Sequence, residues 1–147
     1  INLYEVIESC IDIQRAAATE KRIGILNNVD PRMEVIADVE MLKLVIRNLF
    51  NNAIKFTNSG GEIKASSNIS GNFGILTIAD NGIGMEEEKA TQIFTMNSVS
   101  TYGTNNEKGV GLGLMLCKEF TELQNGTISL TSVVGEGTAF SLQFPIS

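Results

Sequence analysis

The longest run of helical periodicity in this sequence covers residues 39–56. Apolar side chains recur there every three or four positions, and amide and lysine side chains form a stripe beside them. Asp38 precedes the run and can cap its first free amides, and the Thr-Asn-Ser-Gly-Gly sequence that follows ends it. The apolar face comprises Leu42, Val45, Ile46, Leu49, Ala53 and Phe56. This pattern predicts a long amphipathic helix.

Shorter patterned segments surround this helix on both sides. Further helices are predicted over residues 3–20, from about 86 to 94, and from 109–113 to about 123. Strands are predicted at 23–26, 33–37, 62–69, 73–79, 127–132 and 138–144, several of them joined by Gly- or Asn-containing turns. This interleaving predicts an α/β fold, a two-layer sandwich in which a mixed, mostly antiparallel sheet carries three main helices on one face.

Composition narrows the function classes. The chain has 147 residues, 43% of them hydrophobic, which fits one globular domain, and its apolar runs are too short to cross a membrane. The formal charge of −6 argues against a nucleic-acid groove, and the absence of histidine excludes His-based metal sites and catalytic triads. Cys10 and Cys117 show neither metal-ligand nor redox spacing, so we expect two buried thiols.

The polar stripe of the long helix holds the first candidate site. Asn48, Asn52 and Lys55 lie on it, and asparagine weakens a helix interior unless its amide is used. One interpretation is a solvated face. The other is that an Asn carbonyl ligates Mg²⁺, which prefers oxygen donors, while Lys55 supplies positive charge to phosphates.

A second candidate follows the strand at 73–79, where the chain reads Asp80-Asn-Gly82-Ile83-Gly84-Met85. This can be a tight turn only. Alternatively, the carboxylate of Asp80 accepts a hydrogen bond from the exocyclic amine of adenine, and the glycines allow the backbone to approach the ring. Guanine presents a carbonyl at that position, so two acceptors would face each other.

The third candidate is the glycine-rich segment 108–114 at a helix start. Free backbone amides and the positive end of a helix dipole can hold phosphate there. The segment lacks the third glycine of a dinucleotide fingerprint, because that position holds Leu114. A phosphate site here therefore has another design.

Five motifs in order resemble the N, G1, F, G2 and G3 boxes of histidine-kinase catalytic domains. They are Asn48-x-x-x-Asn52-x-x-Lys55-Phe56, Asp80-x-Gly82-x-Gly84, Phe94, Gly109-x-Gly111-x-Gly113-Leu114 and Gly135-x-Gly137-Thr138. The resemblance implies the Bergerat ATP-binding sandwich, with ATP and Mg²⁺ as cofactors.

The resemblance also implies roles for individual residues. Asn52 matches the Mg²⁺ ligand, Asn48 and Lys55 match phosphate-side contacts, and Asp80 matches the adenine-reading carboxylate. Residues 95–108 resemble the mobile ATP lid, and Lys108 is the candidate γ-phosphate contact. Further nucleotide contacts are implied at Phe56, Gly82, Ile83, Gly84, Met85, Gly109, Val110, Gly111, Leu112, Gly113, Leu114 and Thr138. Val110 stands where the family frequently has Thr or Ser, which removes one hydroxyl contact.

The resemblance further predicts how the domain sits in a larger protein. Residues 1–20 would be a linker helix from an upstream dimerisation domain that carries the phosphoacceptor histidine, and residues 21–147 the catalytic domain. Such a domain is cytoplasmic, although the full-length kinases often cross the inner membrane. A response-regulator receiver domain would be an indirect partner.

Asn48 separates two reaction classes within this superfamily. The ATPases resemble one another in having Glu there, which activates water, whereas an amide cannot act as a base. Transfer to histidine needs no such base, because a neutral imidazole already has a lone pair for attack. An ATP-hydrolysing relative, a serine kinase of the anti-sigma-factor type and a degenerate docking module stay open as alternatives.

Overall fold

The structure is a computed structural model that describes residues 1–94 and 112–146 of the chain. Helices and strands alternate along it in a mixed order. The elements are α1 (Leu3–Glu20), β1 (Gly24–Asn28), α2 (Val39–Phe56), β2 (Glu62–Ser70), β3 (Phe73–Asp80), α3 (Glu87–Gln92), α4 (Leu112–Leu123), β4 (Thr127–Val133) and β5 (Gly137–Pro145). The predicted α/β fold class is confirmed.

The strands form one five-stranded sheet with the order β1-β2-β3-β5-β4. β1 pairs with β2 in parallel through the α2 crossover, and the other three pairings are antiparallel. One face of the sheet is buried beneath the helices, whereas Thr77, Ser129 and Ser141 on the other face are half-buried or exposed. The buried face includes Ile63, Ala65, Leu76, Ile78, Phe140, Leu142 and Phe144. The result is the predicted two-layer sandwich.

Helix α2 is the centre of the helical layer and has the predicted bounds. Asp38 caps its N-terminus by accepting a hydrogen bond from the Met41 amide at 2.9 Å. Five of the six residues of its predicted apolar face are buried, whereas Phe56 is half-buried, and each buried Val, Leu or Ile side chain contributes about 1.5–3 kcal/mol through removal from water. Thr57 then adopts an extended conformation and ends the helix.

Two cysteines flank α2. Cys10 of α1 approaches the Lys43 carbonyl at 3.9 Å, and Cys117 of α4 approaches the Val45 carbonyl at 3.7 Å. Both are free and buried, as predicted. Burial raises the pKa of the Cys10 thiol to about 11 and that of Cys117 to about 12, so both are neutral near pH 7.

Helix α1 packs into the same core as the rest of the chain. Asn2 caps it by accepting from the Glu5 amide at 3.0 Å. The helix buries an apolar face that includes Leu3, Ile7 and Ile11. The division of the chain at residue 20 stays a prediction. None of the helices in the described ranges is both long and apolar enough to cross a membrane.

The prediction of a strand at residues 33–37 is wrong. The extended segment makes backbone hydrogen bonds to separate elements: Val35 donates to the Ile1 carbonyl and Ile36 to the Pro145 carbonyl. Within the described ranges, its one isolated bridge pairs Glu34 with Asn2. Its buried residues fill space at the end of the core, which explains why its apolar pattern resembles that of a strand.

Candidate functional site

Asp80 is the last residue of β3 and pairs with Ile63 on one side and Thr138 on the other. Its Oδ1 accepts hydrogen bonds from the backbone amides of Gly82 at 2.9 Å and Thr138 at 3.3 Å. Both bonds use Oδ1, and no described residue donates a hydrogen bond to Oδ2. Burial raises the pKa of the Asp80 carboxyl, and the two amide bonds act in the opposite direction. The carboxylate is thus oriented by backbone.

The loop after Asp80 joins the C-terminal end of α2. The Ile83 amide donates to the Phe56 carbonyl at 3.0 Å. Gly82 lies directly over that carbonyl, and a Cβ at this position would overlap the Phe56 oxygen. Close packing of two backbone segments therefore accounts for this glycine without any ligand. It also brings Asp80 to the helix end that carries Lys55.

The same loop packs against the turn between β4 and β5. The Gly135 amide donates to the Ile83 carbonyl at 2.8 Å. Gly84 has φ +72°, and a Cβ on it would overlap the Val133 carbonyl. Gly137 has φ +127° and lies equally close to the Asp80 carbonyl. The second and fifth predicted motifs, the G1 and G3 boxes, therefore meet in space through backbone packing.

One serine hydroxyl connects these segments. Ser132 of β4 accepts a hydrogen bond from the Met85 amide at 2.7 Å. The same Oγ donates to the Gly137 carbonyl at 3.1 Å, and it lies 2.7 Å from Thr138 Oγ1. The sequence analysis missed Ser132, because a serine in a strand of alternating polarity has no signal of its own.

The predicted α2 stripe lies beside this loop. Asn48, Asn52 and Lys55 are half-buried, and the Asn48 amide donates back to the Leu44 carbonyl at 2.9 Å. Lys55 Nζ lies 4.7 Å from the centre of the Phe56 ring. Lys89 Nζ of α3 lies 5.5 Å from the same centre, although the sequence analysis gave Lys89 no role. Two ammonium groups therefore lie beside the Phe56 ring, near the end of α2 where Lys55 is predicted to contact phosphate.

Lys21 anchors the end of α2 from beneath. Its side chain is buried, and Nζ donates to the Ile54 carbonyl at 2.8 Å and to the Lys55 carbonyl at 3.0 Å. These carbonyls belong to the last turn, where the helix has no backbone donors left and carries partial negative charge. The sequence analysis missed this contact, because lysine in a Glu-Lys-Arg run resembles solvated surface.

Several predicted residues lie outside the described ranges. Lys108, Gly109, Val110, Gly111 and the whole predicted lid at 95–108 belong to this group. Leu112 and Gly113 begin α4, and Leu114 is buried in the core. Phe94, the predicted F-box residue, packs edge to face on Phe140 with ring centres 6.1 Å apart.

A shallow pocket of about 150 Å³ opens between the end of β3 and the β4–β5 turn. Its lining residues include Asp80, Ser132 and Thr138, and also Ala79, Thr131 and Ala139, which lie on the open face of the sheet. Pockets for small ligands usually exceed roughly 300 Å³. This pocket is therefore too small for a ligand of nucleotide size, and it lies partly on the face of the sheet opposite the helices.

The family model described as "Histidine kinase-, DNA gyrase B-, and HSP90-like ATPase" matches residues 37–147. The sensor histidine kinase TmoS of Ectopseudomonas mendocina is 33% identical over 147 residues, which cover 99% of this chain and 15% of TmoS. The adaptive-response sensory kinase SasA of Crocosphaera subtropica is also 33% identical, over 97% of this chain and 36% of SasA. The chain thus spans 15% of the length of TmoS and 36% of the length of SasA.

A solved structure covers nearly the same extent as this chain. The catalytic domain of the histidine kinase ThkA, in a nucleotide-free form, superposes with a TM-score of 0.84 at 26% identity. The match covers 99% of this chain and 93% of the ThkA chain. The resemblance drawn from the five motifs is confirmed: the chain belongs to the family of histidine kinase-, DNA gyrase B- and HSP90-like ATPases, in which it is a sensor histidine kinase catalytic domain.

Proposed function

We propose that this domain binds Mg·ATP and transfers the γ-phosphoryl group to a histidine on a separate dimerisation domain. The observation that carries the proposal is the arrangement of Asp80. Two backbone amides bind one carboxylate oxygen, and the other can accept from the 6-amino group of adenine. Guanine would place a carbonyl against that oxygen, so GTP is rejected.

The phosphates and Mg²⁺ would lie along the polar stripe of α2. Asn52 would give its amide oxygen to Mg²⁺, and Lys55 and Asn48 would contact the phosphates. The described residues contain no cluster of three or more His, Cys, Asp or Glu able to hold a metal ion. Phosphate oxygens and water would therefore complete the coordination, as Mg²⁺ sites with few protein ligands require. This donor set fits the ion.

The start of α4 would complete the phosphate site. Gly109, Gly111 and Gly113 would present backbone amides, and Lys108 would contact the γ-phosphate. The helix dipole of α4 favours negative charge at this end. Lys89 is added to the predicted cations, since its ammonium group lies beside the same aromatic ring as that of Lys55.

The domain would contribute positioning and charge neutralisation to the transfer. Asn48 cannot remove a proton from water, and the attacking imidazole of the partner needs no such base. Phosphoryl transfer depends mainly on alignment and on charge compensation. The chain contains no histidine, so the acceptor lies on the dimerisation domain of the same full-length kinase. A response-regulator receiver domain would then accept the phosphoryl group. The transfer would take place in the cytoplasm, and the full-length protein can be anchored in the inner membrane.

The first test is calorimetric titration with ATP and with GTP, each with Mg²⁺, on wild type and on Asp80→Asn. We expect saturable ATP binding that GTP does not reproduce and that Asp80→Asn abolishes. Addition of a separate His-bearing dimerisation domain with labelled ATP should then yield acid-labile phosphohistidine. A folded wild-type chain without ATP binding would refute the kinase proposal and favour the docking module.

Phosphate release by the isolated domain separates transfer from hydrolysis. With Asn48 in place, we expect no steady release of phosphate above the buffer rate. Rapid release by wild type would instead assign the domain to the ATP-hydrolysing members of the family.

A further inference from the structure

We infer that Ser132 is a positioning residue of the adenine subsite. It holds in place Asp80 and Thr138, the residues that would contact the 6-amino group. This inference rests on the proposed function. Ser132 does not belong to any of the five motifs, and its hydroxyl makes three contacts with two parts of the site: the Met85 amide in the loop after Asp80, and the Gly137 carbonyl and Thr138 hydroxyl at the start of β5.

The single proton of the serine hydroxyl determines in which of these contacts Ser132 is the donor. A serine hydroxyl has one proton and two acceptor lone pairs. The Met85 amide occupies one lone pair at 2.7 Å. If Ser132 donates its proton to the Gly137 carbonyl, its second lone pair accepts the proton of Thr138. This arrangement satisfies all three contacts, whereas donation to Thr138 leaves the Gly137 carbonyl without the bond.

The direction determines what Thr138 presents to a ligand. Once its proton points to Ser132, Thr138 Oγ1 has only lone pairs left, so it acts as an acceptor. The Thr138 amide meanwhile donates to Asp80 Oδ1 at 3.3 Å, which joins the same residue to the carboxylate. Asp80 and Thr138 then form an acceptor pair that favours an amine over a carbonyl.

Ser132 also holds the loop that orients Asp80. The Met85 amide is three residues beyond Gly82, whose own amide binds the carboxylate. Loss of the hydroxyl would free both the Met85 end of the loop and the proton of Thr138. Asp80 and Thr138, which would face the amine, would then no longer be held in a fixed arrangement. The predicted phosphate contacts on α2 would not change.

The test compares two nucleotides on Ser132→Ala, each titrated with Mg²⁺ by calorimetry. ATP carries the 6-amino group, and purine riboside triphosphate lacks it. We expect Ser132→Ala to weaken ATP binding about tenfold, the size of one hydrogen bond, and to change binding of the analogue less than about twofold. Ser132→Thr, which keeps the hydroxyl, should restore most of the ATP affinity.

Ser129→Ala is the matched control, because Ser129 lies on the same strand but on the open face of the sheet. It should leave both affinities unchanged. Amide exchange at Met85, followed by NMR, should accelerate in Ser132→Ala and not in the control.

Equal losses for both nucleotides together with a lower Tm would reduce Ser132 to a structural residue and overturn the inference. An unchanged ATP affinity in Ser132→Ala, with tight wild-type binding, would overturn it as well. Failure of wild type to bind either nucleotide refutes the proposed function itself, and the inference with it, so the two failures are distinguishable.

Discussion

Asp80, the proposed adenine contact, shows at the residue scale how a buried carboxylate can reduce stability. Its carboxyl is partly buried, and both of the described amide bonds go to one oxygen. Burial makes the ionised form costly, and this raises the pKa of the group in the folded state. A neutral amide at this position could still accept both backbone bonds, but it would lose the charge.

Asp80→Asn is therefore expected to keep or raise the Tm of the nucleotide-free protein near neutral pH. A carboxyl whose folded pKa exceeds its unfolded value contributes stability that is fully present below the unfolded pKa and lost as pH rises through the folded pKa. The Tm difference between variant and wild type should thus grow as the pH rises above about 4, the pKa of an unfolded Asp, and should become constant above the raised folded pKa. Thermal denaturation across this range measures it.

The control is Asp12→Asn, at an exposed carboxylate whose ion pair with Arg15 is open to solvent. Such pairs contribute little, so its Tm should follow wild type at each pH. A wild-type protein that gained Tm over Asp80→Asn as the pH rose would contradict the prediction.

At the scale of elements, the loop after Asp80 and the β4–β5 turn act as one unit. Gly84 has φ +72° and lies against the Val133 carbonyl, whereas Gly135 has φ +83° and open space around its Cα. The two positions therefore separate steric overlap from backbone conformation.

Gly84→Ala should destabilise the domain by about 3 kcal/mol, because strain from positive φ and overlap with backbone add together. Gly135→Ala carries the conformational strain alone and should cost about 1 kcal/mol. Urea unfolding of both variants gives the two values. Equal losses would show that the loop moves away from Val133 at little cost.

Lys21 connects α1 to the last turn of α2. Lys21→Met keeps most of the apolar stem but removes the donor to the Ile54 and Lys55 carbonyls, and we expect a loss of about 2 kcal/mol. Urea unfolding measures the loss. Lys64→Met, at an exposed position on β2, is the control and should fall within about 0.5 kcal/mol of wild type. A similar loss in both variants would refute the anchoring role.

Helix α2 was predictable to its bounds, because a cap, an amphipathic period and a terminator all agree there. Residues 33–37 were not, since burial of alternate residues is common to strands and to extended segments with separate partners. Ser132 and Lys21 act through contacts with residues distant in sequence, and local patterns contain no record of such contacts. The family was recognised because the order of the five motifs along the chain is itself informative.

At the scale of the whole molecule, α1, α2 and α4 share one core with the sheet. Cys10 and Cys117 lie in α1 and α4, on opposite sides of α2, and burial raises the pKa of both thiols. The reactivity of the two thiols therefore reports whether α1 can detach from the core while the rest of the domain stays folded.

We expect both thiols to react with a disulfide reagent at the same slow rate, set by global unfolding. Mass spectrometry of the labelled protein distinguishes the two sites. An added exposed thiol, Ser129→Cys, should react at once and serves as the reagent control. Faster labelling of Cys10 than of Cys117 would contradict a shared core and support the predicted division at residue 20.

The position of β5 has a consequence for synthesis. It is the last of the five strands in chain order, yet it lies between β3 and β4, and it supplies the Thr138 amide that binds Asp80. A nascent chain that stops before residue 137 would leave β4 without its neighbour in the sheet and Asp80 with one of its two amide bonds. The ribosome must therefore finish β5 before the sheet is complete and Asp80 has both of its amide bonds, so a product that stops earlier lacks the geometry on which the proposed ATP binding rests.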